Sequence, residues 1–393
     1  LNLLLARCAS VVQYLSVRGK SSGSLCRLAA NYERIKTRAG RLSRARVICR
    51  GSKPPLAETI PGRLAAARAR RISRMRYLVT GGAGFIGSNT VDELVRRGHS
   101  VVVLDDLSAG KEDNLAEMRN KITFIKGSIT DIEVVRKAMH EAEYVLHLGA
   151  RTSVPRSVKD PIETNKINIE GTLNVLVAAK ELKVKRVVFA ASSSAYGETP
   201  TLPKVETMQP QPVSPYGVTK YVGELYGQTF GRCYGLENVS LRYFNIFGPR
   251  QDPSSPYSGV LAKFCTAFLE DTQPMVFGDG EQTRDFTYVE NAVQANLLAC
   301  EAPNASGKVF NVGVGDRISL NEVLRALRKI TGKRLEAKYE PPRDGDIRDS
   351  QADISQAREC LDYDPQVSFE EGLTRTFEWY RATQTRAPTK AEK

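Results

Sequence analysis

The 393-residue chain is poor in the residues that build metal and disulfide frameworks: seven cysteines with no C-x-x-C pair among them, and three histidines. That argues against a metal site of the zinc type and for a reducing compartment, the cytoplasm. No apolar run approaches the ~18 residues that a membrane span needs. Leu3 to Leu5 begin one, but Arg7 and Gln13 interrupt it. Acids are nearly missing from the first 74 positions, which hold two (Glu33 and Glu58) against seventeen lysines and arginines. The formal charge of +13 therefore belongs to that leader, and the other 40 bases against 42 acids give no basic surface for a nucleic acid.

Residues 1–74 are rich in Arg, Ser and Ala and show neither a helical nor a strand period. They read as an organelle transit peptide or as an extension upstream of a start at Met75, the second being preferred. Organelle import enters only if the leader is genuine.

What the chain does have is concentrated in Met75 to Asp106. Tyr77 to Thr80 are β-prone and lead into Gly81, Gly84 and Gly87, after which Phe85, Ile86, Val91, Leu94 and Val95 recur at helical spacing. In such a strand–turn–helix the glycines permit a tight turn, close approach of backbone to a pyrophosphate, and close packing of helix on strand. The amides at the helix start then face phosphate charge. A second strand, Ser100 to Leu104, ends in Asp105, whose carboxylate suits the adenine-ribose hydroxyls and repels a 2′-phosphate, so NAD is expected over NADP. A glycine triplet alone is weak, but an acid ending the next strand about 20 residues on supplies the confirming context.

Further strands at Ile122 to Lys126, Glu143 to His147, Lys185 to Ala190 and Asn238 to Arg242 alternate with helices, one from a Thr130 cap to His140 and one from Asn165 to Lys180. The second presents Ile169, Leu173, Leu176 and Val177 on one face, with Asn168 near its start. This alternation predicts an α/β fold, a doubly wound parallel (Rossmann) sheet with ligands at its carboxyl edge. His147 at a strand end reads as packed rather than catalytic. Ser214 and Pro215 open a long helix as N-cap and first residue, which puts Tyr216 and Lys220 on one face a turn apart. Beyond Pro249 the alternation lapses into a smaller mixed substrate-binding domain. The expected division is 75–245 for the dinucleotide domain, 246–383 for the cap with elements returning to the sheet, and 384–393 for a tail. Arg284, Arg343 and Arg348, beside glycines and acids in the cap, have the side chain suited to bidentate diphosphate contacts.

Taken together, T-G-G-A-G-F-I-G-S, H-L-G-A, S-S-S-A-Y-G, S-P-Y-G-V-T-K, L-R-Y-F-N-I-F-G-P-R, G-D-G-E-Q-T-R-D-F-T-Y-V and P-P-R-D-G-D-I-R-D-S resemble the extended short-chain dehydrogenase/reductase family, within it the UDP-hexose 4-epimerases. The likeness covers about Met75 to Tyr380. It implies Tyr216 as the base, Lys220 on the nicotinamide ribose, and Ser192 relaying the proton. It implies NAD contacts from Gly81, Gly84, Phe85, Ile86, Gly87, Asp105, Asn168 and Phe244, and UDP-sugar contacts from Ser153, Asn245, Arg284, Arg343 and Asp346, with Thr152, Gly259 and Ser350 near the sugar. A homodimer through the helices containing Asn165 to Lys180 and Tyr216 to Cys233 is implied as well. Where that family usually has Asp after the glycine ending the third strand, this chain has Ser128. A phenol of pKa near 10 needs help to act as a base, and Lys220 with the positive nicotinamide is the expected source. The alternatives are a 4,6-dehydratase, disfavoured because Ser192-Ser193-Ser194 replaces Thr-Asp-Glu, a UDP-glucuronate decarboxylase or 4-epimerase, with Arg151 available for the carboxylate, and a non-catalytic NAD-binding regulator.

Overall fold

The computed structural model describes residues 74–253, 259–342 and 348–386. The leader up to residue 73, and with it the choice between the two readings of it, lies outside the described residues, as do the last seven residues of the tail.

Alternating Val/Leu-rich runs and helices build a seven-stranded, all-parallel sheet. Its first six strands in sequence are β1 (Arg76–Thr80), β2 (Ser100–Asp105), β3 (Thr123–Lys126), β4 (Tyr144–His147), β5 (Arg186–Ser192) and β6 (Glu237–Tyr243). Lys308–Val312 adds the seventh beside β6, and the spatial order runs Lys308–Val312, β6, β5, β4, β1, β2, β3. The order reverses between β1 and β4, which opens a crevice at their carboxyl ends. Both faces are covered, so the strands are apolar on both sides: Leu78, Val79, Val103, Val145, Leu146, Val188 and Val239 are all buried.

Two local departures from the sequence expectation have physical causes. The helix after β3 is Ile132–Met139, and its cap is Asp131, not Thr130, because the Asp131 carboxylate accepts from the Glu133 and Val134 amides while Thr130 turns its hydroxyl to Ser128. The Asn165 to Lys180 helix is broken into Pro161–Asn165, a π turn at Lys166–Glu170, and Gly171–Glu181. The extra residue of the π turn resets the helical phase, so Thr172, Val175, Leu176 and Ala179 are buried while Leu173 and Val177 are only half-buried.

The second half supplies helices Val260–Leu269, Val289–Glu301, Leu320–Thr331, Ser355–Leu361 and Phe369–Arg386, with two-stranded pairs Ile246–Phe247 with Thr287–Tyr288, Thr283–Arg284 with Ile318–Ser319, and Met275–Phe277 with Lys338–Glu340. Val289–Glu301 packs on β5, β6 and the first helix, Phe85–Arg96, so part of this half closes one face of the sheet.

Candidate active site

The glycine turn is built as a cradle. Gly81 ends β1 at φ +68°, and a Cβ there would meet the Gly149 backbone at 2.7 Å, so the loops after β1 and β4 touch at the point where the strand order reverses. A Cβ on Gly87 would fall 2.1 Å from the Gly81 carbonyl oxygen, which no side chain can survive without moving the helix. The Phe85–Arg96 helix therefore lies hard against its own turn, with Gly84 as its cap and its first amides, at Phe85, Ile86 and Gly87, pointing out of the turn. Buried Asp105 closes the cradle: one carboxylate oxygen accepts from Ala83 N at 2.9 Å and the other from Leu107 N at 2.8 Å. Burial pushes its carboxyl up while those two amides hold it down. Each oxygen keeps a lone pair for a ribose hydroxyl. These features fit a dinucleotide. Ser128, in the place of an acid, bonds Thr130 at 2.9 Å.

His147 is committed to the fold. Its Nδ1 meets Thr80 Oγ1 at 2.8 Å and its Nε2 meets Thr172 Oγ1 at 2.9 Å, tying the ends of β1 and β4 to the Gly171–Glu181 helix. Full burial, helped by nearby Lys220, pushes the imidazole down to about 3, so it is neutral across the physiological range.

The Pro215–Tyr234 helix starts as expected, with the Ser214 hydroxyl accepting from Gly217 N at 3.1 Å and Pro215 in the first turn. Tyr216 and Lys220 share a face, with Lys220 Nζ 5.9 Å from the Tyr216 ring centre. Lys220 donates to the Ala190 carbonyl at 2.7 Å on β5 and lies over Phe189. Desolvation pushes its ammonium down to about 8. Burial pushes the Tyr216 phenol up, and the Ser192 hydroxyl acts the other way. Asn168, on the π turn, braces this corner. Its Oδ1 accepts from Arg151 N at 2.7 Å, and its Nδ2 donates to Arg151 O and Thr219 Oγ1, both at 3.0 Å. Phe244, after β6, is fully buried against Tyr196. Ser153 caps the Val154–Lys159 helix at φ +102°, accepting from Arg156 N.

Next to this edge lies a cavity of about 260 Å³ whose lining includes Asn245, Gln251, Gly259, Phe277, Gln282, Arg284 and Phe286. Asn245 and Arg284 were legible in the sequence. Gln251, Phe277, Gln282 and Phe286 were not singled out, although Gln282 and Phe286 flank Arg284 in the same G-D-G-E-Q-T-R-D-F run. Asp285, between Arg284 and Phe286, turns inward and takes amides from Val314, Gly315 and Ala352 at 2.9 to 3.1 Å. Burial pushes its carboxyl up to about 6 against those donors. Arg343 and Asp346 lie outside the described residues. Arg348 pairs with Asp279 at 3.0 Å, and Arg151 pairs with Asp160 at 2.9 Å.

Comparison with known proteins agrees with this geometry. Residues 77–313 match the model of the NAD dependent epimerase/dehydratase family. The chain is 41% identical over 311 residues to a UDP-glucose 4-epimerase of Mycolicibacterium smegmatis, covering 78% of this chain and 99% of that one. It is similar to the crystal structure of UDP-glucose 4-epimerase with UDP-glucose from Thermotoga maritima, at 44% identity and a TM-score of 0.76 over 79% of this chain and 100% of that one. The Thermus thermophilus UDP-glucose 4-epimerase in complex with NAD is similar at 37% identity and a TM-score of 0.72, covering 78% and 99%.

Proposed function

Since the chain belongs to the NAD dependent epimerase/dehydratase family, we propose that it inverts C4 of a UDP-hexose through a transient 4-keto sugar, the substrate being UDP-glucose/galactose or the 2-acetamido analogues. What carries this reading is the meeting of Tyr216, Lys220 and Ser192 at the carboxyl edge of the sheet, beside the cradle formed by Gly81, Gly84 and Gly87.

Bound NAD⁺ supplies the hydride acceptor for C4 and, once reduced, the donor for the opposite face. The first turn of the Phe85–Arg96 helix and Asp105 would hold its pyrophosphate and adenine ribose. Asn168 acts through the Arg151 backbone that it fixes, and Lys220 would hold the nicotinamide ribose. Tyr216 takes the proton of the sugar 4-hydroxyl. Burial raises its phenol, and the Lys220 ammonium, together with the positive charge that a bound oxidised nicotinamide would bring, favours the phenolate.

The 4-keto sugar must turn over while its nucleotide stays fixed. Asn245 and Arg284 in the 260 Å³ cavity suit the uridine diphosphate, with Arg343, Asp346 and Ser153 completing the set. Thr152, Gly259 and Ser350 leave the hexose loosely held. The Arg151–Asp160 pair weighs against a decarboxylase, because the guanidinium that would face a sugar carboxylate already has one. A homodimer is supported by exposed Val158 (63%), Ile162 (81%) and Leu225 (43%) on the Val154–Lys159, Pro161–Asn165 and Pro215–Tyr234 helices, and light scattering tests it. Among the described residues no helix is long and apolar enough to cross a membrane. Free Cys265 and Cys300 fit a reducing cytoplasm, testable by fractionation. The functional test is incubation with each UDP-sugar and resolution of the C4 epimers. Interconversion without added reductant is expected, and no interconversion of any UDP-hexose contradicts the proposal.

A further inference from the structure

Tyr216 is the second residue of the Pro215–Tyr234 helix, so its amide is one of those that a helix start leaves without an intrahelical partner. The cap Ser214 takes the amide of Gly217. The Tyr216 amide goes to a different helix: it donates to Ser157 Oγ at 3.0 Å, and the Ser157 hydroxyl donates in turn to the Val154 carbonyl at 2.7 Å. Ser157 is buried in the Val154–Lys159 helix, whose cap is Ser153. Its own amide donates to the Ser153 carbonyl at 3.1 Å. One residue therefore joins the main chain of Tyr216 to the positive-φ turn at Ser153. The carbonyl of Tyr216 is held as well. Thr219 Oγ1 donates to it at 2.8 Å and accepts from Asn168 Nδ2 at 3.0 Å, while Asn168 Oδ1 accepts from the Arg151 amide at 2.7 Å. The 151–157 segment thus grips Tyr216 from both sides, through Ser157 at its amide and through Asn168 and Thr219 at its carbonyl, and all three of these side chains are buried.

Resting on the proposed function, we infer that Ser157 is a positioning residue for Tyr216: it fixes the base to the loop that carries Ser153, so that the phenol and the sugar contact keep one spacing while the 4-keto sugar turns over. The need is physical. Tyr216 stands on the first turn of its helix, the part that frays, and a rotation of that turn would carry the phenol away from the reacting hydroxyl. A misplacement of about 1 Å is enough to slow an enzyme by roughly 100-fold. Ser157 is not among the residues lining the 260 Å³ cavity, and it lies apart in sequence from the glycine cradle. Its contribution therefore falls on the chemical step and not on the affinity for nucleotide or cofactor.

The test is Ser157→Ala in the holoenzyme, which removes the acceptor and keeps nearly the same volume. With the UDP-hexose that the wild type turns over fastest, kcat should fall by roughly 10- to 100-fold, while KM and the NAD affinity read by calorimetry stay within about threefold. The deuterium isotope effect at C4 should be fully expressed in the variant, because hydride transfer then limits turnover. Thr376→Val controls for a packing defect. Thr376 is as buried as Ser157 and donates to the Gly372 carbonyl at 2.6 Å in the last helix, Phe369–Arg386. It should lower the melting midpoint as Ser157→Ala does, yet leave kcat unchanged. A Ser157→Ala rate equal to that of the wild type, a loss spread equally over kcat, KM and NAD affinity, or an equal loss of kcat in Thr376→Val overturns the inference. Failure of the functional reading looks different: no UDP-hexose is interconverted by the wild type, or Tyr216→Phe turns over at the full rate.

Discussion

Replacing Glu224 with Gln removes one charge from a pair that water does not reach. The Glu224 and Arg242 side chains are 1% and 3% exposed, and two bonds of 2.8 and 2.7 Å join them. The guanidinium also lies 4.5 Å from the centre of the Tyr196 ring, and Tyr196 donates to Asn311 at 2.7 Å. Burying both ions offsets most of their attraction, so the intact pair adds little net stability, but stranding one partner is expensive. Glutamine keeps the volume and can still accept one bond, which places the loss near the lower end of ~3–5 kcal/mol. At roughly 2–4 °C per kcal/mol for a large domain, the melting midpoint should fall by about 6–12 °C. Guanidinium denaturation and calorimetry of the cofactor-free protein measure it. Replacing both residues with methionine should recover most of the loss, because no charge is then left unpaired. A loss below about 1 kcal/mol for Glu224→Gln would mean that the pair is hydrated in solution and would refute the reasoning.

Other changes separate cofactor, base and scaffold. Gly87→Ala drives a methyl to 2.1 Å from the Gly81 carbonyl oxygen, so NAD affinity by calorimetry should drop roughly 5- to 150-fold, the effect of ~1–3 kcal/mol of overpacking; unchanged affinity would discount the cradle. Lys220, pushed down from 10.5 to about 8 by burial, sheds its proton earlier when folded than when unfolded. The unfolded state then binds more protons between those values, and stability of the cofactor-free protein should climb with pH across that window. The climb should vanish in Lys220→Met, and an equal slope in both proteins would count against a buried ammonium. His147→Gln should lose about 1–2 kcal/mol of stability through its two threonine bonds, yet keep every inflection of the wild-type pH–rate profile between about pH 5 and 8. A lost inflection would reassign His147 as a proton carrier.

The sheet and the cofactor cradle were legible because their information is local. Gly81, Gly84, Gly87 and Asp105 sit at fixed offsets on one strand–turn–helix–strand unit, and Ser214, Pro215, Tyr216 and Lys220 on one helix start. The π turn at Lys166–Glu170 was not, since an inserted residue leaves the apolar pattern looking like one continuous helix. Asp131 displaced Thr130 as cap because both types cap well and only the backbone path decides between them. The cavity was the least visible part. Gln251, Phe277 and Gln282 come from separate short segments whose meeting depends on tertiary packing, with Asp285 pinning Val314, Gly315 and Ala352 behind them.

The measurement closest to the central claim pairs two assays on Tyr216→Phe: binding of a UDP-hexose to the NAD-loaded protein, and the rate at which its C4 epimer forms. The account predicts binding within a few-fold of the wild type and a rate lower by roughly two to four orders of magnitude, the range that general acid–base catalysis supplies. Near-normal epimerisation by the phenylalanine variant would contradict it.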